Sequence, residues 1–272
     1  MKRLKIIDSF DLPIAEASGL CTAFLDGVEH LVAVGDADTR LAWTPLVDDL
    51  PTEWELLDLA DWDDLPADLG QFEAVADAGQ GRVLVLGEEP SLLVLVDLAT
   101  RSCLGWWRLR IIDEPDFAEL WNRDENSRGE GLVPLADGHV LIVKEKRPVL
   151  TVECGLGGRR SEALQPDREA WQAPEGHEIP VMHWSRVADA PSDISDCVCP
   201  DGSTLVALSD QDQCLVILEH DDESYRACEP IPLDKKIEKP EGLAVTATDA
   251  WFVAMDTRDG DGALVRIANP DF

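Results

Sequence analysis

The sequence predicts an all-β chain built by repetition, and three observations predict it. A polar residue at the head of one apolar run is followed fifteen positions later by a carboxylate at the tail of the next: Glu73 with Glu88, Glu130 with Glu145, Ser195 with Asp210 and Glu241 with Asp256. A looser copy runs from Ser18 to Asp36, with three extra residues in its turn. The openers stand 55, 57, 65 and 46 residues apart along the 272-residue chain. Each copy also repeats one grammar of strand, tight turn, strand, short loop and strand. Three or four antiparallel strands recurring about every fifty residues is the pattern of a β-propeller blade. The expectation is a single domain, 1–272, folded as a five-bladed β-propeller. Six blades, with a degenerate one between 145 and 195, is the alternative.

The first strand of each unit opens on the polar residue and then alternates apolar positions, as in Glu73-Ala74-Val75-Ala76, Glu130-Gly131-Leu132-Val133 and Glu241-Gly242-Leu243. The turns carry residues that tolerate tight geometry: Gly79-Gln80-Gly81, Asp137-Gly138 and Asp201-Gly202-Ser203. The second strands are continuous apolar runs, expected where both faces are covered: Val83–Leu86, Val140–Val143, Leu205–Leu208 and Trp251–Met255. Third strands are expected over Leu92–Leu98, Val149–Glu153, Leu215–Glu219 and Leu264–Ile267, and a fourth over Trp106–Ile112. The tail after Glu241 is short for a blade, so an N-terminal strand, Leu4–Asp11, is expected to complete it and close the ring, removing the exposed edges of an open array. Three stretches read as irregular: 48–70, 113–129 with a short helix at Phe117–Trp121, and 154–192. All three precede an opener and so belong on the same face as the polar pairs, where binding loops of repeat proteins gather.

Composition narrows the partners. There are 55 acidic residues against 23 basic ones, a formal charge of −32. Such a surface repels nucleic acid and anionic lipid and attracts cations, whether a metal ion, a small organic cation or a basic protein. The seven cysteines contain no CxxC pair, and several sit in apolar strand patterns, which favours free thiols, a reducing compartment and a cytoplasmic protein. No apolar run reaches the eighteen residues of a membrane span.

An antiparallel hairpin brings its first and last residues side by side, so each unit should present a polar pair at one end. Carboxylates crowded into one mouth raise one another's pKa, and three remedies are open: protonation, pairing with Lys or Arg, or a bound cation. A hard divalent ion with oxygen ligands, most naturally calcium, is the expected cofactor, with Glu73, Glu130, Glu241 and Asp210 as its ligands. Repeated acids can also serve only to finish strands by accepting backbone N–H bonds. Glu145 and His183 are the candidates for activating water. Asp36, Glu88, Trp121 and Trp184 are expected to touch a small-molecule substrate, the tryptophans because a loop aromatic can cage a cation or a sugar.

The phrases SGL at 18–20, EAV at 73–75 and EGL at 130–132 and 241–243, together with KEKRPVL (144–150) and SDQDQCLVILE (209–219), resemble the SdiA-regulated family. They also resemble the wider group of propellers with esterase-like phytase domains and the senescence-marker/gluconolactonase enzymes. The resemblance covers most of the chain through short, blade-defining motifs. It implies a central cavity that often holds calcium and, in some members, hydrolysis of esters, lactones or phosphoesters. Two functions are therefore expected: a calcium-dependent hydrolase of such a substrate, or a non-catalytic propeller that binds a cationic ligand or basic protein at its acidic face.

Overall fold

A computed structural model describes residues 3–270 except 64, 67, 68, 88–90, 111–114, 124–127, 136, 137, 157–169, 221–223 and 257–261. The first strand, β1 (Ile6–Leu12), is followed by β2 (Ala17–Leu25), β3 (Val28–Gly35), β4 (Arg40–Val47), the short β5 (Leu50–Pro51) and β6 (Glu55–Asp58). Next come β7 (Phe72–Gly79), β8 (Arg82–Gly87), β9 (Leu92–Asp97), β10 (Ser102–Arg110) and the helix α1 (Pro115–Trp121). The third group is β11 (Gly129–Pro134), β12 (Val140–Lys144), β13 (Leu150–Cys154) and β14 (Glu178–Arg186). The fourth is β15 (Asp196–Val198), β16 (Leu205–Ser209), β17 (Cys214–His220), β18 (Tyr225–Ala227) and β19 (Ile231–Pro232). The last is β20 (Pro240–Val245), β21 (Trp251–Met255) and β22 (Gly262–Ile267).

Each group is an antiparallel meander ordered from its first strand outward, as in β7-β8-β9-β10. The meanders of β7–β10 and β11–β14 merge into one eight-stranded sheet because the outer strands β10 and β14 pair in parallel, Arg108 to Glu178 through Arg110 to Pro180. The N-terminal strand completes the last meander: β1 pairs with β22 from Ile6 opposite Ile267 to Leu12 opposite Gly262. This joins the chain's ends within one sheet.

Two stretches read as irregular contain strands. Residues 48–70 hold β5 and β6, the latter pairing with β4, and 154–192 holds β14, pairing with β13. Among the described residues, the interval 145–195 adds strands to the third meander and forms no sheet of its own.

The core lies in slabs between successive meanders. Leu84, Leu86, Leu132 and Ile142 join the second to the third, and Val143 and Val216 join the third to the fourth. Between the last and the first, Phe252, Leu264 and Leu12 meet Leu20 and Leu31, which closes the circuit. Second strands are covered on both faces, hence their unbroken apolar runs: Val83 through Leu86 and Leu205 through Leu208 are all buried. Residues near the axis are small because the meanders converge there. A Cβ on Gly19 would stand 2.8 Å from the Ala74 Cα, and one on Gly131 only 2.5 Å from the Cys197 Sγ. Bulk is placed farther out, where Trp43, Trp107, Trp121 and Trp171 are buried. All seven cysteines are free thiols. No helix among the described residues is long and apolar enough to cross a membrane.

Candidate functional site: an acidic mouth

The openers reach their positions through a repeated irregularity. The ladder of the first hairpin slips between Ala17 and Gly19, between Phe72 and Ala74, between Gly129 and Gly131, and between Pro240 and Gly242. Ser18, Glu73, Glu130 and Glu241 are thus each the extra residue of a β-bulge, a device that takes a side chain out of the alternation of its strand and re-aims it. The closing acid is held by one backbone bond just beyond the bulge. Asp36 N–H donates to Glu16 O (3.0 Å), Glu145 N–H to Arg128 O (2.9 Å) and Asp256 N–H to Lys239 O (3.0 Å).

The result is one cavity of about 290 Å³, lined by Glu16, Ala17, Ser18, Asp36, Gln71, Glu73, Glu130, Glu145, Lys146, Glu241 and Asp256. Among the described residues, seven carboxylates face one ammonium there. Glu145 pairs with Lys146 and Asp256 with Lys239. Lys144, fully buried, donates to Lys146 O at 2.6 Å and so holds the segment that carries the Glu145–Lys146 pair.

Electrostatics follow from this crowding. Burial, then the charges of Asp210, Asp193, Glu145 and Asp256, push Glu241 up to about 9. Burial and the neighbouring Glu16 carboxyl push Asp36 up to about 7. Glu145 is raised by burial, an effect that Lys146 opposes. Among the described residues, Asp36 Oδ1 and Asp256 Oδ1 are buried without a hydrogen-bond partner. An unsatisfied buried oxygen costs about 1–3 kcal/mol, a cost that a donor or a cation placed there would relieve. Its side-chain donors are oxygens, carboxylates with the Ser18 hydroxyl and the Gln71 amide, the chemistry of a hard cation. As the side chains stand, however, no three His, Cys, Asp or Glu residues among those described converge closely enough to hold a metal ion.

The expected site residues divide. Glu73, Glu130, Glu241, Glu145 and Asp36 share the cavity. Asp210 does not line it. It lies half-buried behind Glu241, accepting from Gln213 Nε2 at 3.1 Å, and acts on the mouth through its charge. His183 is on the outer strand β14, opposite Glu153 of β13, and does not line the mouth. Trp121 is a core residue, 1% exposed, with its ring 5.4 Å from Phe117 and Nε1 donating to Ser91 Oγ (3.3 Å). Trp184 also packs against Phe117, with ring centroids 5.7 Å apart. Both tryptophans fill the wedge between two meanders, where large apolar area is needed, and neither lines the mouth. Glu88 lies outside the described residues.

The serine openers do a different job from the glutamates. Ser18 Oγ donates to Phe72 O, and Ser195 Oγ donates to Pro240 O at 2.7 Å. Each acceptor immediately precedes the next meander's opener, so the hydroxyls staple neighbouring inner strands. Sequence reasoning missed Asp196, which follows Ser195. Its 1% exposed carboxylate accepts from the backbone N–H of Leu243 (2.7 Å), Cys197 (2.7 Å) and Leu20 (3.4 Å), tying the first, fourth and fifth meanders together. Its signal was present: after the opener the other units carry Gly19, Ala74, Gly131 and Gly242, and only this one carries an acid.

No protein-family model and no curated protein matches the sequence. Solved structures do match in shape. A luciferin-regenerating enzyme superposes over 97% of this chain and 96% of its own, with a TM-score of 0.52 at 9% identity. A gluconolactonase from Xanthomonas campestris does so over 98% and 96%, with a TM-score of 0.51 at 12% identity. A streptogramin B lyase matches over 96% and 97%, with a TM-score of 0.50 at 8% identity. At such identities the likeness is one of fold: the chain has the architecture of a propeller-type protein.

Proposed function

We propose that the five meanders act as the five blades of a propeller whose acidic mouth binds a hard cation, calcium by preference, and hydrolyses a small ester, lactone or phosphoester there. The observation that carries this reading is the gathering of Glu73, Glu130, Glu241, Asp36 and Asp256 around one cavity, two of them with an unsatisfied buried oxygen. Glu73, Glu130 and Glu241 would hold the ion after small rotations of their side chains, with Asp210 contributing charge from behind. A bound divalent ion supplies polarisation of the substrate oxygen and a lower pKa for water.

The chain's own groups supply the rest. Glu145, oriented by Lys146, accepts the proton of the attacking water at its carboxylate. Glu241, which keeps its proton at neutral pH when no cation is bound, would release it on taking up the ion, so the proton that Glu145 accepts from water is the one passed on to the leaving oxygen. The cavity volume sits near the lower end of small-molecule sites and suits a small substrate. The gluconolactonase among the similar folds supports hydrolysis only as a class of reaction. Seven free thiols support a reducing, cytoplasmic setting.

One observation favours a second, non-catalytic reading. Among the described residues the carboxylates are not preassembled around an ion, and a mouth that relieves its charge by protonation can equally accept an organic cation or the lysine of a basic partner. The test is calorimetric titration with calcium, followed by a panel of generic ester, lactone and phosphoester substrates. Calcium binding abolished by Glu73→Gln with Glu130→Gln, together with turnover of one substrate class, supports the hydrolase. Calcium binding without turnover leaves a binding propeller, and indifference to calcium removes the metal from the mouth.

A further inference from the structure

The inner strands carry a second cavity at their other end. Ser18, Glu73, Glu130 and Glu241 face the mouth, whereas Leu20, Val75, Leu132 and Val245, a few places later on the same strands, wall a space of about 600 Å³. Asp196 sits between the two, bonded to the N–H groups of Leu20 and Leu243. The second cavity differs from the mouth in kind. Its walls are mainly aliphatic, and Phe24, 47% exposed, stands at its lip.

Every charged residue described in its lining is acidic: Glu29, Asp77, Asp201 and Asp249. Three of these are engaged at its rim. Asp201 accepts from the N–H and hydroxyl groups of Ser203 and Thr204, Asp249 from Trp251 Nε1, and Glu29 from the Ala247 N–H. Asp77 is the one set among the aliphatic walls, with Gly79 N–H on its Oδ1 at 2.9 Å. Burial pushes it up to about 6, so an incoming cation would relieve it. The thiols of Cys21 and Cys197, raised by burial, stay neutral and bring no competing charge.

We propose that this cavity is a binding site for a small organic cation with an apolar body, an alkyl- or benzylammonium. The ammonium lies against Asp77 and the lip of Phe24, and the hydrocarbon lies on Val75, Leu132 and Val245. Volume, aliphatic walls, one enclosed carboxylate and an aromatic lip are the four things such a ligand requires. The site is separate from the acidic mouth and does not depend on what the mouth does.

Cys199 lines the cavity and is partly exposed, while Cys103 and Cys228, also partly exposed, lie elsewhere and serve as internal references. The experiment is alkylation by N-ethylmaleimide, mapped by peptide mass spectrometry, with benzyltrimethylammonium as the probe and benzyl alcohol as its neutral counterpart. Benzyltrimethylammonium is expected to slow labelling of Cys199 about fivefold or more while leaving Cys103 and Cys228 unchanged, with half-protection in the submillimolar range. Asp77→Asn should raise the half-protecting concentration about tenfold, equal to about 1.4 kcal/mol. Phe24→Ala, a truncation at an exposed position that leaves folding intact, should raise it about threefold. Glu73→Gln, at the mouth, should leave it unchanged. No protection at about 10 mM probe, equal protection by benzyl alcohol, or protection lost in Glu73→Gln and kept in both Asp77→Asn and Phe24→Ala would each overturn the proposal.

Discussion

Replacing Glu241 with glutamine should make the protein more stable in neutral and alkaline solution, by an amount that grows with pH. The Glu241 carboxyl rests at about 9 in the folded chain, against an ordinary 4.5, because burial and then the charges of Asp210, Asp193, Glu145 and Asp256 oppose its ionisation. Between those two pH values the folded protein holds a proton that the unfolded chain has lost. Stability therefore falls as pH rises, by about 1.4 kcal/mol per pH unit for one such proton. The penalty is absent below the unfolded value and complete above the folded one. It reaches at most about 3 kcal/mol at pH 7 and about 6 kcal/mol at pH 9. Glutamine keeps the shape and removes the titration. Urea unfolding of both proteins at several pH values should give curves that meet near pH 5 and diverge above it, with the variant more stable and m unchanged. Other raised acids, Asp36 and Asp77 among them, tilt both curves alike, so the difference isolates Glu241. Calcium should narrow the gap by stabilising the wild type more, because the cation takes the place of the proton. Parallel curves, or a variant less stable at pH 8, would refute the reasoning.

Other expectations can be checked with the same unfolding assay. Asp196→Ala strands the N–H groups of Leu20, Leu243 and Cys197 and should cost about 3 kcal/mol or more, since each orphaned buried donor costs about 1–3 kcal/mol. Gly131→Ala places a methyl 2.5 Å from Cys197 Sγ and should cost about 1–3 kcal/mol by overpacking, with Cys197→Ala in the same chain restoring most of it. A chelator should lower the melting temperature of wild-type protein and leave the Glu73→Gln, Glu130→Gln double variant unmoved. His183→Ala, on an outer strand away from the mouth, should leave any turnover and calcium affinity unchanged.

Much of the fold was legible because its signals are local. The fifteen-residue interval measures one hairpin, the continuous apolar runs mark strands covered on both faces, and Gly-containing turns separate them. Even the N-terminal strand's place beside β22 followed from counting strands. The bulges were not legible, since an extra residue in a ladder leaves no mark on spacing when all three glutamate-opened units carry it. They nevertheless decide which way Glu73, Glu130 and Glu241 point. The tryptophans misled for a different reason. Trp121 and Trp184 fall in stretches without clear strand alternation, and Pro180 argues against the strand that carries Trp184. The spacing of Phe117 and Trp121 by four residues on one helical face was the available sign that Trp121 is core. Asp210 closes its hairpin as expected, yet its unit opens with a serine whose hydroxyl is used as a staple, and Asp210 does not line the cavity.

The division of labour among the openers has a physical reason. Five ionised carboxylates in the opener positions would add to the closing acids already there, and the mouth is only about 290 Å³. Ser18 and Ser195 replace charge with a hydrogen bond to the strand of the next meander, so two positions strengthen the ring while three hold its acidity. Asp196 continues this logic one residue deeper: its three backbone donors join meanders that the serine staples link only in pairs. The small residues that follow the other openers let the strands approach closely enough for those N–H groups to reach it. One repeated strand end therefore supplies binding chemistry at the mouth, closure at the axis and, a few residues on, the aliphatic walls of a second cavity. A repeat with five identical openers could not divide these tasks, which is why the departures from the repeat, Ser18, Ser195 and Asp196, say more about how the ring holds together than the residues that obey it.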